Sequence, residues 1–143
     1  MNEILIFLVL AGLIVLIAIL SQKSIELAPE NNMSKEVKVN LTTNKESYKQ
    51  GEKVFLNVSV FSQGQLENVT IVVSGIETRF GRNYINLKEN ADLNQGENLI
   101  KFSFTMPYCS TCSGVSAGKH EILVKVIYGN ETIGSSSKII EIK

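Results

Sequence analysis

A chain of 143 residues is long enough for one domain, and its formal net charge of zero leaves no basic surface for a phosphate backbone, which excludes nucleic acid as a partner. One Asp, one His and no Trp leave few groups for acid–base chemistry, and two Cys fall far short of a disulfide scaffold.

The opening stretch ILIFLVLAGLIVLIAIL, residues 4–20, is uncharged and apolar throughout. At 1.5 Å per residue it reaches the short end of what a bilayer-spanning helix requires, and it lacks the polar face of a helix lying on a membrane. A cleaved signal peptide is the rival reading. The retained anchor is preferred because MNE carries no Lys or Arg and no small-x-small pair marks a cut near Ser21. Flanking charges hardly vote on orientation. Residues 1–22 are therefore assigned to a transmembrane anchor and 23–34, polar, aperiodic and containing Pro29, to a tether.

Residues 35–143 show period-two alternation broken at short intervals by Gly, Asn and Ser, the pattern of antiparallel strands. Val37, Val39 and Leu41 share one face, as do Val54, Leu56, Val58 and Val60. Val69, Ile71 and Val73 form a third set. Ile100, Phe102, Phe104 and Met106 form a fourth, and Ile122, Val124, Val126 and Tyr128 a fifth. A weaker strand, NYINLKE, precedes the fourth set, and GNET turns the chain into a last strand ending KIIEIK. The expectation is an all-β, seven-stranded antiparallel immunoglobulin-like sandwich after one N-terminal transmembrane helix.

The stretch TTNKESYKQGEKVFLNVSV, with Tyr48, Gly51 and Glu52 between two strands, resembles the opening of immunoglobulin-like, macroglobulin-type and CARDB-type domains of cell-surface proteins. SAGKHEILVKVIYGNETI is similar to their closing hairpin. The resemblance covers about a third of the chain. It implies an architecture and an adhesive or scaffolding habit, and it carries over no catalytic residue. The sequence departs from antibody-type domains, because Trp is absent and Cys109 and Cys112 stand too close together to pin two sheets.

CSTC admits three readings. Zinc needs four ligands, and Cys109, Cys112 and His120 supply three. A thioredoxin-like redox pair would open a helix, which SGVSAGK is ill-suited to form. A local disulfide between Cys109 and Cys112, stapling a wide loop in an oxidising compartment, is preferred; no metal and no cofactor are expected. His120 is in phase with Ile122 and Val124, at the mouth of the core, and no nucleophile is tied to it by spacing. NADLNQG, residues 90–96, lacks the Gly and Glu positions of a calcium loop and is read as the turn before a strand. The enzyme hypothesis thus has no residues to stand on.

Asn-x-Ser/Thr triplets begin at Asn32, Asn40, Asn57, Asn68 and Asn130. At Asn40, Asn57 and Asn68 the spacing follows from the polar face of a strand, so Asn32 and Asn130 are the better glycosylation candidates. ETRFGRNY holds both arginines of the chain: Arg79, Phe80, Arg82 and Tyr84 form a candidate contact loop, weighed against an ordinary irregular connection.

The composite expectation is a non-enzymatic, single-pass protein of the cell membrane. Its C-terminal domain is extracytoplasmic, acting in adhesion, envelope organisation or assembly with a protein or glycan partner. Two alternatives remain: a subunit of a type IV pilin-like or archaellum-like surface filament, and a thiol-disulfide redox protein using CSTC.

Overall fold

The computed structural model describes residues 35–111 and 113–143. The predicted anchor and tether, Asn32 and Cys112 lie outside the described residues. Eight strands follow in order: β1 (Lys38–Thr43), β2 (Ser47–Tyr48), β3 (Lys53–Ser62), β4 (Leu66–Glu77), β5 (Asn83–Leu93), β6 (Gly96–Thr105), β7 (Gly118–Tyr128) and β8 (Glu131–Ile142). Among the described residues no helix is long and apolar enough to cross a membrane.

The strands form two sheets, β1-β3-β6 and β2-β8-β7-β4-β5. Every pairing is antiparallel except that of β2 with β8. The alternation explains the layers directly. Val54, Leu56, Val58 and Val60 of one sheet and Val69, Ile71, Val73, Ile122, Val124 and Val126 of the other are all fully buried. Their strand neighbours Phe55, Asn57, Glu121 and Lys125 face solvent. Each such side chain withdrawn from water contributes roughly 1.5–3 kcal/mol, so the interlocked faces dominate stability.

Two departures from simple alternation shape the sandwich. The expected seven strands are present, and β2 is an eighth of two residues. Here the chain leaves the small sheet after β1 and joins the large one, with Glu141 N–H donating to Glu46 C=O (2.9 Å) and Lys143 N–H to Tyr48 C=O (2.9 Å). The Tyr48 side chain plugs the core at this corner. Second, β5 runs on to Leu93, so Asn90 to Leu93, expected in a turn, are strand and only Asn94 and Gln95 turn the chain. Ala91 and Leu93 continue the inward phase of Ile85 and Leu87, and Glu89, in the same phase but exposed, conceals that continuity in the sequence.

At the far end of β8 the register skips Ile133, pairing Val126 with Gly134 and Ile127 with Thr132. This bulge rotates Ile133 into the core. Val37 N–H donates to Ile133 C=O (3.0 Å), so the folded domain begins beside the β7–β8 turn.

Candidate functional site

Three connections gather at the end of the sandwich opposite residue 35: the β2–β3 turn (residues 49–52), the β4–β5 loop (78–82) and the β6–β7 loop (106–117). The two segments singled out from sequence, the Arg/aromatic loop and the cysteine loop, are in contact there.

The β2–β3 turn forms because Glu52 N–H reaches back to Lys49 C=O (3.1 Å), with Gly51 at φ +75° supplying the left-handed third residue. Backbone bonds Gly51 N–H to Met106 C=O (3.0 Å) and Met106 N–H to Glu52 C=O (2.8 Å) lock this turn to the start of the β6–β7 loop. The Tyr108 ring lies over Gly51, where a Cβ would sit 2.7 Å from Cζ. Glu52 is clamped by the Lys45 ammonium and by Lys49 N–H (2.9 Å). Its carboxyl is held below the usual range, first by the Lys45 hydrogen bond and then by the Lys49 amide, and Lys45 is raised in return. Both groups are solvated, so the pair orders the turn more than it stabilises the domain.

The cysteine loop is organised by a serine that carried no signal in the sequence. Ser113 Oγ donates to Tyr108 C=O (2.7 Å) and accepts from Ser110 N–H (3.2 Å) and Val115 N–H (3.3 Å). Gly114 N–H donates to Ser110 C=O (3.1 Å), and Ser110 bridges to Val115. Cys109 is half-buried against the core with a free thiol, its N–H donating to Gln50 Oε1 (2.9 Å). His120 Nε2 lies 2.7 Å from Ser116 C=O, so that nitrogen carries the proton as donor and the ring is satisfied locally.

On the other side, β4 is bent before it reaches the loop. Gly75, at φ +151°, passes so close to Glu121 C=O and Ile122 Cα that no Cβ fits. The next residue, Ile76, is fully buried at φ +53°, a conformation β-branched residues avoid. This strained pair ends the pairing with β7 at Gly75–Ile122 and turns the following residues toward the cysteine loop. Arg79 N–H then donates to Gly114 C=O (2.8 Å), and the loop closes on itself through Thr78 N–H to Arg82 C=O (2.8 Å). Phe80 rests one edge on Gly114, leaving 60% of its surface exposed, with the Arg79 guanidinium 4.7 Å from its ring centre. Arg82 is exposed in the loop, and Tyr84 lies already on β5, 47% exposed.

Between the two loops lies an open cleft of about 460 Å³, lined by Glu77, Thr78, Arg79, Ser110, Thr111 and Ser116, with Gly114 and Val115 as floor. One carboxylate, one guanidinium and four hydroxyls make it polar and balanced in charge. Such a surface donates and accepts hydrogen bonds to a partner without a net field. Among the described residues no three His, Cys, Asp or Glu side chains converge as a metal site. Of the triplet asparagines, Asn130 is exposed in the β7–β8 turn at the opposite end, and Asn40 and Asn57 are exposed on strand faces as expected. Asn68 is different: it sits at a bulge in β4 with φ +56°, its N–H donating to Asp92 Oδ1 (2.8 Å). Asn tolerates that conformation, which accounts for the residue better than face alternation does.

No known family matches this sequence, and no curated protein is detectably similar to it. Solved structures nonetheless share its fold. The CARDB domain of a Pyrococcus furiosus protein, in complex with di-metal ions, superimposes with a TM-score of 0.52 at 13% identity, over 77% of this chain and 94% of that domain. The sporulation control protein Spo0M of Bacillus subtilis gives 0.53 at 15% identity, over 76% of this chain and 49% of its own. The Pseudomonas fluorescens alkylpurine DNA glycosylase AlkC, bound to DNA containing an abasic-site analogue, gives 0.55 at 18% identity, over 76% of this chain and 30% of its own. This chain thus spans about a third of the glycosylase and half of the sporulation protein. At these identities the likeness establishes the fold: a CARDB-like, immunoglobulin-like β-sandwich.

Proposed function

We propose that this protein is a membrane-anchored, extracytoplasmic, non-enzymatic sandwich acting in adhesion, envelope organisation or assembly at a cell surface, with the loop end as its contact surface. The observation that carries the reading is the fixed loop cluster itself. Phe80, Arg79 and Tyr108 are exposed on loops tied to each other and to the sheets by backbone hydrogen bonds, at the end away from where the chain enters the domain. Large aromatic and Arg side chains held rigidly are the residue types that dominate protein contacts, because little ordering entropy is lost on binding. The apolar run at residues 4–20 supports the anchor.

Protease treatment of intact cells tests the location. Cleavage in the tether should release a domain beginning near Met33 without permeabilising the membrane; a domain protected until permeabilisation refutes it. Sequencing the N-terminus of the purified protein discriminates among the readings: a start at or just after Met1 keeps the anchor, and a trimmed apolar segment favours a filament subunit or a secreted product.

A further inference from the structure

The free edges of the two sheets are not alike. β1 is short and begins with Lys38. β8 is covered at one end by β2 and at the other by Val37, which Gly134 admits at a distance no Cβ would allow. β5 carries Glu89 on its inward phase, a charge that a docking strand would have to bury. β6 is neither short nor covered, and it carries no charge on its inward phase. Its ten residues pair with β3 in unbroken register, it has no Pro and no interior Gly, and its charges, Glu97 and Lys101, both point outward. A groove of about 630 Å³ runs beside the edge between β5 and β6, floored by Leu93 and Ile100, and Leu99 on the outer face is 58% exposed.

We propose that two copies of this chain pair β6 to β6, antiparallel, about a two-fold axis through Leu99. Directly opposed residues in an antiparallel pair share a face, so a symmetric pairing must centre on a residue. With Leu99 at the centre, Leu99 meets its own copy and Glu97 of each chain faces Lys101 of the other. Centring on Lys101 opposes two ammonium groups. Centring on Ile100 or Asn98 sets each charge against an uncharged residue. Only the Leu99 register matches both charges, and it joins the two small sheets into one of six strands. The contact is self-complementary and closes at two copies. It goes beyond the surface reading above and does not depend on the anchor.

Cross-linking of the full chain in detergent micelles tests it, in a Cys109→Ser/Cys112→Ser background. Leu99→Cys places the new thiols on the two-fold axis, within reach of a disulfide on copper–phenanthroline oxidation. Ser103→Cys, exposed on the same strand and face, leaves its thiols about 27 Å apart at strand rise and should give under about a tenth of the dimer. Adding Lys101→Glu to Leu99→Cys should lower the dimer yield roughly tenfold by opposing like charges, and adding Glu97→Lys as well should restore it. Equal cross-linking at 99 and 103, no dimer at 99, or failure of the double reversal to rescue overturns the proposal. Association through the apolar N-terminal segment alone gives the first of those results, because it brings chains together without fixing register.

Discussion

Replacing Tyr48 by Phe isolates the hydrogen bonds that hold the corner where the chain changes sheets. The ring is 1% exposed and stays in place in the variant, so burial is unchanged. What is lost is the hydroxyl, which donates to Asn44 Oδ1 (2.8 Å) and accepts from Lys45 N–H (2.9 Å). A net contribution of about 1 kcal/mol per bond gives a loss of about 1–3 kcal/mol, the upper figure applying if Lys45 N–H is left without a partner. Tyr48→Ala adds the loss of the ring and should cost about 3–5 kcal/mol. Asn44 Oδ1 also accepts from Phe55 N–H (3.0 Å), so Asn44→Ala should destabilise independently, and the double variant should cost less than the sum. The assay is urea unfolding of the compact unit Met33–Lys143, read as a shift in midpoint at constant slope. A Tyr48→Phe midpoint indistinguishable from the parent, or strict additivity with Asn44→Ala, refutes the assignment of this corner to the Tyr48–Asn44 pair.

Val58 lies fully buried between Leu41 of β1 and Ile100 of β6, and Val58→Asp should abolish the β-type far-UV spectrum by placing an unpaired charge in the core; a folded variant means the strand's inward face is misassigned. Glu52, lowered by Lys45 and the Lys49 amide, contributes stability that is present above its ordinary 4.5 and lost as pH falls through its lower folded value. Lys45, raised by Glu52, contributes below its ordinary 10.5 and loses that contribution as pH rises through its higher folded value. The stability difference between the parent and Glu52→Gln should therefore be level at neutral pH and shrink in acid below 4.5; a difference that grows in acid contradicts the Lys45 clamp. Cys109 carries a free thiol in the structure; closure of the Cys109–Cys112 staple expected from sequence would make non-reduced protein about two mass units lighter than reduced protein, equal masses refute the staple, and zinc bound at one per chain would replace it with a metal site.

The strands were legible because burial on a sheet obeys a period of two, and the apolar sets named from sequence face the core, with Val39, Phe104 and Tyr128 partly buried against it and the other members buried. Elements set by backbone geometry were not. β2 is too short to show a period, yet the Tyr48-x-x-Gly51-Glu52 pattern marks it once the roles are known: the Tyr fills the core, the Gly makes the turn, the Glu clamps it. The Gly75–Ile76 bend and the Asn68 bulge lie in apolar or polar runs that look regular, because positive φ leaves no mark in hydrophobicity. The contact between the Arg/aromatic loop and the cysteine loop is made by the Arg79–Gly114 backbone bond and by Phe80 against Gly114, residues far apart in sequence. Gly114 itself was readable only as a loop glycine, although Phe80 occupies the space a side chain would take.

The strained bend and the open edge assign different work to different parts of one sandwich. Holding fully buried Ile76 at φ +53° costs on the order of 1–3 kcal/mol, and the surrounding core must supply it. What the bend delivers is position: β4 leaves β7 but stays paired with β5 through Glu77–Asn83, and Glu77 and Arg79 reach a cleft shared with Ser110 and Ser116. The β6 edge lies along the side of the sandwich, and its Leu99 centre is far from that end in register, since Leu99 pairs with Ser59 while Thr105 pairs with Lys53 at the loop end. Pairing through Leu99 therefore leaves Phe80 and the cleft uncovered, and because the paired strands run antiparallel the loop ends of the two copies point in opposite directions along the joined sheet.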